Sequence, residues 1–255
     1  MNREAPEPAG NAGRSGKIYL ADILFIISAP SGSGKSTLVS QLRSLVGGLE
    51  FSVSYTTRPP RGSEQPDREY HFVSRQEFEE MIREDRFLEW ACVFGNYYGT
   101  AARTWTDATR EGKDLLLDID VQGAAQVRAK APDAVSIFVL PPNPEILAMR
   151  LRNRSRAEGR VQESEITQRL AKAREEIQNY REYRYILIND ILDQAVGELT
   201  AIVTAERAMR SGRTPTPDTL RMMRGAESCL QANMAERLAP VLSSFGLLSV
   251  QAAHA

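Results

Sequence analysis

Asp22-Ile-Leu-Phe-Ile-Ile-Ser-Ala-Pro-Ser-Gly-Ser-Gly-Lys-Ser-Thr-Leu38 is the stretch whose reading decides the fold. An apolar run passes into a loop of small residues and then into Gly34-Lys35-Ser36-Thr37. The run reads as a buried strand, the loop as backbone with almost no side chains, and Lys35 onward as the first turn of a helix. Such a loop lets several backbone N–H groups converge on one anion, and the helix N-terminus adds its positive end. Lys35 brings a mobile point charge for the outer phosphates, and Ser36 brings a hydroxyl for a divalent cation. The spacing is Ala29-x-x-x-x-Gly34-Lys35-Ser36, so alanine stands where such loops usually begin with glycine. Alanine tolerates positive φ poorly, so position 29 is expected in an ordinary backbone region. A flexible Gly/Ser linker would not follow Ile-Leu-Phe-Ile-Ile, and the reading is a nucleoside-triphosphate loop spanning Ala29, Pro30, Ser31, Gly32, Ser33, Gly34, Lys35, Ser36 and Thr37.

Working outward, 255 residues with 42% hydrophobic and 25% charged content suit one large globular domain with inserted lobes. A formal net charge of −1 gives no reason to expect nonspecific binding to nucleic acid or membranes. Two distant cysteines, Cys92 and Cys229, make no disulfide framework and point to a reducing cytoplasm. Residues 1–17 are polar, lack an apolar signal core and read as a disordered leader. The apolar stretch at 18–29 is broken by Asp22 and is too short to span a bilayer.

Ile23–Ser28 reads as the first strand, apolar without alternation, as in a parallel sheet covered on both faces. Leu38, Val39, Leu42 and Leu45 give the next helix its stripe, and Gly47-Gly48 stops it. Phe51–Tyr55 reads as one short strand, and Tyr70–Val73 as another. Ser74-x-x-Glu77 has capping-box form ahead of a helix. Leu115–Asp120 reads as a second buried strand whose alternation puts Asp118 and Asp120 on one face. Val135–Leu140 and Tyr185–Ile188 complete the strands. Helices are expected after Asn143-Pro144, over 164–180 and from about Asp190 to Met209. The alternation implies an α/β fold with a doubly wound parallel sheet. Residues 51–105 interrupt it and read as an inserted lobe. Ser211–Pro217 reads as a linker, and 218–255 as a helical tail that is either a dimer contact or an inert extension.

The inserted lobe narrows the chemistry. Phe51-Ser-Val-Ser-Tyr-Thr-Thr-Arg-Pro-Pro-Arg-Gly62 sets two arginines three apart in a proline-stiffened loop. Guanidinium forks match phosphate oxygens, and proline limits the entropy lost in holding them. Tyr70 and Tyr98 can add phenolic hydroxyls to the same anion. Phe87-Leu-Glu89-Trp90 puts one carboxylate among apolar residues, where it can accept both N1–H and the exocyclic amine of guanine. Adenine has no donor at N1 and would leave that acid unpaired.

Phe-Ser-Val-Ser-x-Thr-Thr-Arg-x-Pro-Arg, Gly95-Asn-Tyr-Tyr-Gly99-Thr100, Leu117-Asp-Ile-Asp-x-Gln-Gly123 and Ile188-Asn-Asp190 together resemble guanylate kinases over roughly residues 20–210. The resemblance implies a P-loop NTPase type of fold with a GMP-binding lobe at 51–105 and a mobile lid at 150–168. It implies ATP and GMP as substrates and Mg²⁺ as the metal. By that likeness Arg58, Arg61, Tyr70 and Tyr98 would hold the GMP phosphate. Ser54, Glu89, Thr100 and Asp118 would surround the guanine and its ribose side. Asn189 would belong to the ATP site, Ser36 would ligate the metal directly, and Asp120 would act on it through water. Lys35, Arg58 and two lid arginines would be catalytic. The lid pair maps to Arg154 and Arg169, with Arg156 or Arg160 as substitutes for Arg154 because Ser155–Glu163 is longer than in the family.

Blander readings stand beside these. Glu89 could pair with Arg86 or a neighbour, and Asp118 or Asp120 could cap a helix. The lid arginines could be a charged helix surface interleaved with Glu163, Glu165, Glu175 and Glu176. His71 reads as a plain strand residue and His254 as part of the tail. Two rival functions remain: a kinase for another phosphorylated small molecule, such as ribose bisphosphate, and a catalytically silent binding module. The first has no reason to keep a guanine-reading set, and the second has no reason to keep Lys35 and Ser36. Oligomeric state is open.

Overall fold

The structure is a computed structural model and describes residues 23–62, 64–157 and 162–248. The leader 1–17, Arg160 of the lid and His254 lie outside the described residues. The chain runs β1 (Leu24–Ser28), α1 (Lys35–Leu45), β2 (Leu49–Phe51), β3 (Ser54–Thr56), β4 (Tyr70–Phe72), α2 (Arg75–Arg83), β5 (Phe87–Val93), β6 (Asn96–Ala101) and α3 (Ala102–Arg110). It continues through β7 (Asp114–Asp118), α4 (Val121–Lys130), β8 (Val135–Leu140), α5 (Pro144–Ala157), α6 (Glu163–Ile177), β9 (Tyr185–Ile188), α7 (Leu192–Ser211), α8 (Pro217–Glu227) and α9 (Ala235–Ser244).

Five parallel strands form the main sheet in the order β2-β7-β1-β8-β9. Leu24 and Ile26 of β1 enter one core with α4, α5 and α6. Phe25 and Ile27 enter the opposite core with α1 and α7. Side chains still alternate in direction, but both directions are dry, so the sequence shows an unbroken apolar run. The second sheet, β4-β3-β6-β5, builds the inserted lobe around Tyr55, Phe78, Met81, Phe87 and Ala101.

Two sequence expectations change here. Phe51–Tyr55 is not one strand: β2 pairs with β7 in the main sheet, whereas β3 pairs with β4 and β6 in the lobe. The Ser52-Val53 step crosses between sheets, and Ser52 N–H still donates to Leu116 O at 3.1 Å. Asp118 and Asp120 do not share a strand face either. β7 ends at Asp118, and Asp120 becomes the N-cap of α4, accepting from Gly123 N–H at 2.9 Å.

The C-terminal helices pack against the main domain. Ile186 N–H donates to Cys229 O at 2.8 Å and Gln231 N–H to Arg184 O at 2.9 Å, so residues 229–231 cover the outer edge of β9. Met234, Leu238, Val241, Leu242 and Phe245 then enter the core that α5 and α6 share.

Candidate active site

The phosphate loop leaves β1 at Ser28 and enters α1 at Lys35. Gly32 and Gly34 have φ of 92° and 88°, the left-handed region in which glycine is free of Cβ strain. Ala29 is not among the positive-φ residues, as its side chain requires. Ser33 O accepts from Asn189 Nδ2 at 2.7 Å and from an Arg150 guanidinium nitrogen at 3.2 Å. Arg150 also donates to Asn189 O at 2.9 Å. A Cβ at Gly34 would overlap Asn189 Nδ2, so the glycine and the asparagine fit each other. Arg150 from the middle of α5 and Asn189 just past the end of β9 thus clamp the loop into shape. Lys35 Nζ pairs with Asp118 Oδ1 at 2.5 Å and donates to Ile119 O at 2.9 Å. Ser36 and Thr37 are exposed on the first turn of α1.

Across the cleft, Arg58 is 5% exposed and gives both guanidinium arms to Glu64, at 2.7 and 2.8 Å. The same carboxylate accepts from Arg61 N–H at 2.8 Å. Burial works against the Arg58 charge, but the Glu64 hydrogen bond and charge outweigh it and raise the pKa. The guanidinium lies 5.0 Å from the centre of the Tyr70 ring, and Tyr70 meets Tyr98 edge-on at 5.9 Å. Burial, together with the Asp118 and Tyr98 charges, pushes the Tyr70 phenol up to about 12, so it remains a donor at neutral pH.

Glu89 owes its position to a register shift in β5, where pairing with β6 slips between Phe87 and Glu89. Phe87 faces the lobe core and Leu88 the main core, while Glu89, 3% exposed, reaches the cleft. Desolvation lifts its pKa to about 7; Asp120 adds to the rise, and Thr100 and Lys130 oppose it. Thr100 pairs with Glu89 across the hairpin and is fully buried. Arg86 pairs with Glu84 at 3.4 Å, so the simple ion-pair reading of Glu89 does not apply.

One cavity of about 650 Å³ takes in the phosphate loop from Ala29 to Thr37 together with Ser54, Arg58, Arg61, Tyr70, Glu89, Tyr98, Asp118, Asp120, Arg154, Arg169 and Asn189. Thr100, behind Glu89, is the sequence-predicted residue that does not line it. Arg154 comes from α5 and Arg169 from α6, where Arg169 pairs with Glu165 at 2.7 Å. That pair is the charged-helix pattern read from the sequence, and it sits at the cleft wall. His71 is a strand residue paired with Asp67 at 2.6 Å.

Sequence reasoning missed three residues here. Glu64 carried a signal, being an acid three residues after Arg61. Arg150 was read only as the start of the cationic lid segment; its hold on the phosphate loop was missed, though it lies four residues before Arg154 on the same helix face. Glu176 of α6 lies in the cleft beside Lys172 at 3.7 Å, and desolvation raises its pKa, with Asp120 adding to the rise. Among the described residues no three His, Cys, Asp or Glu side chains converge to hold a metal by themselves. Any divalent cation here would rest on Ser36, water and phosphate oxygens.

Comparison with known proteins follows the same division of the chain. The family model described as guanylate kinase matches residues 22–206. A guanylate kinase of Koribacter versatilis is 51% identical over 226 residues, 89% of this chain and 97% of its own. A guanylate kinase of Neisseria gonorrhoeae is 50% identical over 193 residues, 76% of this chain and 92% of its own. Among solved structures, the crystal structure of guanylate kinase from Anaplasma phagocytophilum superposes with a TM-score of 0.59 at 31% identity, covering 73% of this chain and 86% of that one.

Proposed function

The chain belongs to the guanylate kinase family and phosphorylates GMP with ATP, giving ADP and GDP; on that premise we propose how the residues of the cleft divide the work. The observation that carries the assignment is the single cavity in which Lys35 of the phosphate loop and the Arg58–Arg61 pair of the lobe face each other.

The loop amides and Lys35 take the ATP phosphates, and Asn189 with Arg150 keeps the loop rigid while they do so. Arg58, Arg61, Tyr70 and Tyr98 take the GMP phosphate, Glu64 fixing the plane of the Arg58 fork. Ionised Glu89 accepts both donors on the Watson–Crick edge of guanine, with Ser54, Thr100 and Asp118 around the base and ribose. Phosphoryl transfer then needs in-line placement and cancellation of the repulsion between two polyanions. Arg154 and Arg169 bring positive charge from the lid helices, and closure of residues 150–168 excludes water that would otherwise hydrolyse ATP. Mg²⁺ would be held by the Ser36 hydroxyl, which lies open on the first turn of α1, with Asp120 of the same cavity acting through water. Bound there, the cation would offset part of the phosphate charge.

Residues 51–105 serve as the GMP lobe and 20–210 as the kinase domain, and the helices that follow, far from an inert extension, complete its core. Both cysteines are free, which fits a reducing cytoplasm. Among the described residues no helix is long and apolar enough to cross a membrane. The test is ADP formation with GMP, AMP, dTMP and ribose bisphosphate as acceptors. GMP is the expected preference by more than about a hundredfold, the range open to a site whose buried acceptor a wrong base leaves unpaired. Turnover with AMP in place of GMP refutes the base assignment.

A further inference from the structure

Gly123 lies in the first turn of α4, fully buried, with an ordinary helical backbone. Nothing in its conformation calls for glycine. Inside a helix glycine costs roughly 0.5–1 kcal/mol relative to alanine. The reason for it lies in its surroundings. A Cβ there would overlap Glu89 Oε2, sit 3.0 Å from Glu89 Cδ and stand 3.4 Å from Asp120 Oδ1. The Gly123 N–H also donates to Asp120 Oδ1 at 2.9 Å. The β5–β6 ladder fixes the Glu89 backbone, so a Cβ at position 123 would be relieved by rotation of the Glu89 side chain, which carries its carboxylate away from the place it now holds.

We propose that Gly123 is a specificity-determining position: the room left by its missing side chain is where the Glu89 carboxylate must lie to read guanine. The inference rests on the assignment of Glu89 to the base. It makes Gly123 a positioning residue, acting through Glu89 and untouched by substrate. A single methyl group would displace the carboxylate, and the amide that steadies Asp120 would stay in place.

The test is a cycle of Gly123→Ala, Glu89→Ala and the double variant, read by KM for GMP and ATP, by preference for GMP over inosine monophosphate, and by thermal unfolding. Gly123→Ala is expected to raise KM for GMP by about tenfold or more, the loss of one charged hydrogen bond or two, and to cut the preference over inosine monophosphate in step. KM for ATP should stay within about twofold, and the unfolding midpoint should not fall, since alanine favours the helix. In the Glu89→Ala background the second change should do nothing further, because the atom it displaces is gone. Glu89→Ser provides the same background if the alanine variant does not fold. If Gly123→Ala keeps the GMP preference while Glu89→Ala loses it, the glycine proposal falls alone. If Glu89→Ala also keeps the preference, the base assignment falls, and this proposal with it. An effect of Gly123→Ala that persists without Glu89 is a packing defect and overturns the proposal.

Discussion

Lowering the pH from about 8 to about 6 should weaken GMP binding through one group, Glu89. In the protein its pKa stands at about 7, raised first by desolvation and then by Asp120, with Thr100 and Lys130 pulling the other way. Guanine presents two donors, N1–H and the exocyclic amine, so only the ionised carboxylate can accept both. The ionised fraction is about 0.9 at pH 8, about one half at pH 7 and about 0.1 at pH 6, for a group titrating near 7. Apparent affinity scales with the competent fraction, so KM for GMP should rise about tenfold across that span. Binding at pH 7 should release about half a proton, readable by calorimetry in two buffers of different ionisation heat. The GMP phosphate itself titrates near 6, and Glu89→Gln keeps that contribution while removing the carboxylate. The reasoning fails if the wild-type pH profile of KM for GMP is no steeper than that of Glu89→Gln, or if KM for ATP shows the same slope. The same shift fixes the sign of a stability effect. The folded pKa is raised, so between about pH 4.5 and 7 the folded state holds more protons than the unfolded one. Rising pH therefore removes about 3 kcal/mol of stability through this group.

Lys35→Ala should lower kcat by at least about a hundredfold through loss of charge at the transferring group, and near-normal turnover would remove Lys35 from the reaction. Glu64→Ala should raise KM for GMP by about tenfold with little change for ATP, because it frees the Arg58 fork from a charged bidentate hold; steady-state kinetics showing both constants unchanged would reduce Glu64 to a surface partner. Ending the chain at Gly212 should cost several kcal/mol, since Met234, Leu238, Val241, Leu242 and Phe245 would leave the core and the β9 edge would be bared. Thermal unfolding and light scattering would contradict this if the shortened chain kept its midpoint and stayed monodisperse.

What could be read in the sequence was whatever a local stretch dictates. A phosphate loop must be glycine-rich, must follow a strand and must open a helix, and all of this falls within Asp22–Leu38. Strands buried on both faces, such as β1 and β8, announce themselves by near-continuous apolar composition because neither side of them faces water. The break between β2 and β3 did not show, because Ser52-Val53 has no turn chemistry and only partner strands reveal that the chain changes sheets. Asp120 was placed on the strand for a related reason: period-two alternation was carried two residues beyond the end of β7, and the alternative reading of Asp120 as a helix cap is the one that holds. Gly123 was legible as part of a motif, but what it does was not. Its neighbour Glu89 lies on a different lobe, and a glycine within a helical stretch reads only as weakness.

The cleft also shows how a fold holds several cations together before any nucleotide arrives. Lys35 is matched to Asp118, Arg58 to Glu64, Arg169 to Glu165 and Lys172 to Glu176. A cation as enclosed as Arg58 could not be left bare, because desolvating an unpaired charge costs several kcal/mol. The carboxylates therefore do for the protein alone part of what phosphates do in the complex. Binding becomes a sharing of partners, Glu64 still holding the Arg58 fork, and its net free energy is a difference between two charged environments. A small anion reaching one arginine gains little over the carboxylate already there. A nucleotide gains more, because its phosphate, base and ribose meet the Arg58 fork, the tyrosine hydroxyls and Glu89 at once. Selectivity for a whole nucleotide over a bare phosphate thus follows from the pairing inside the cleft as much as from the pocket that reads the base.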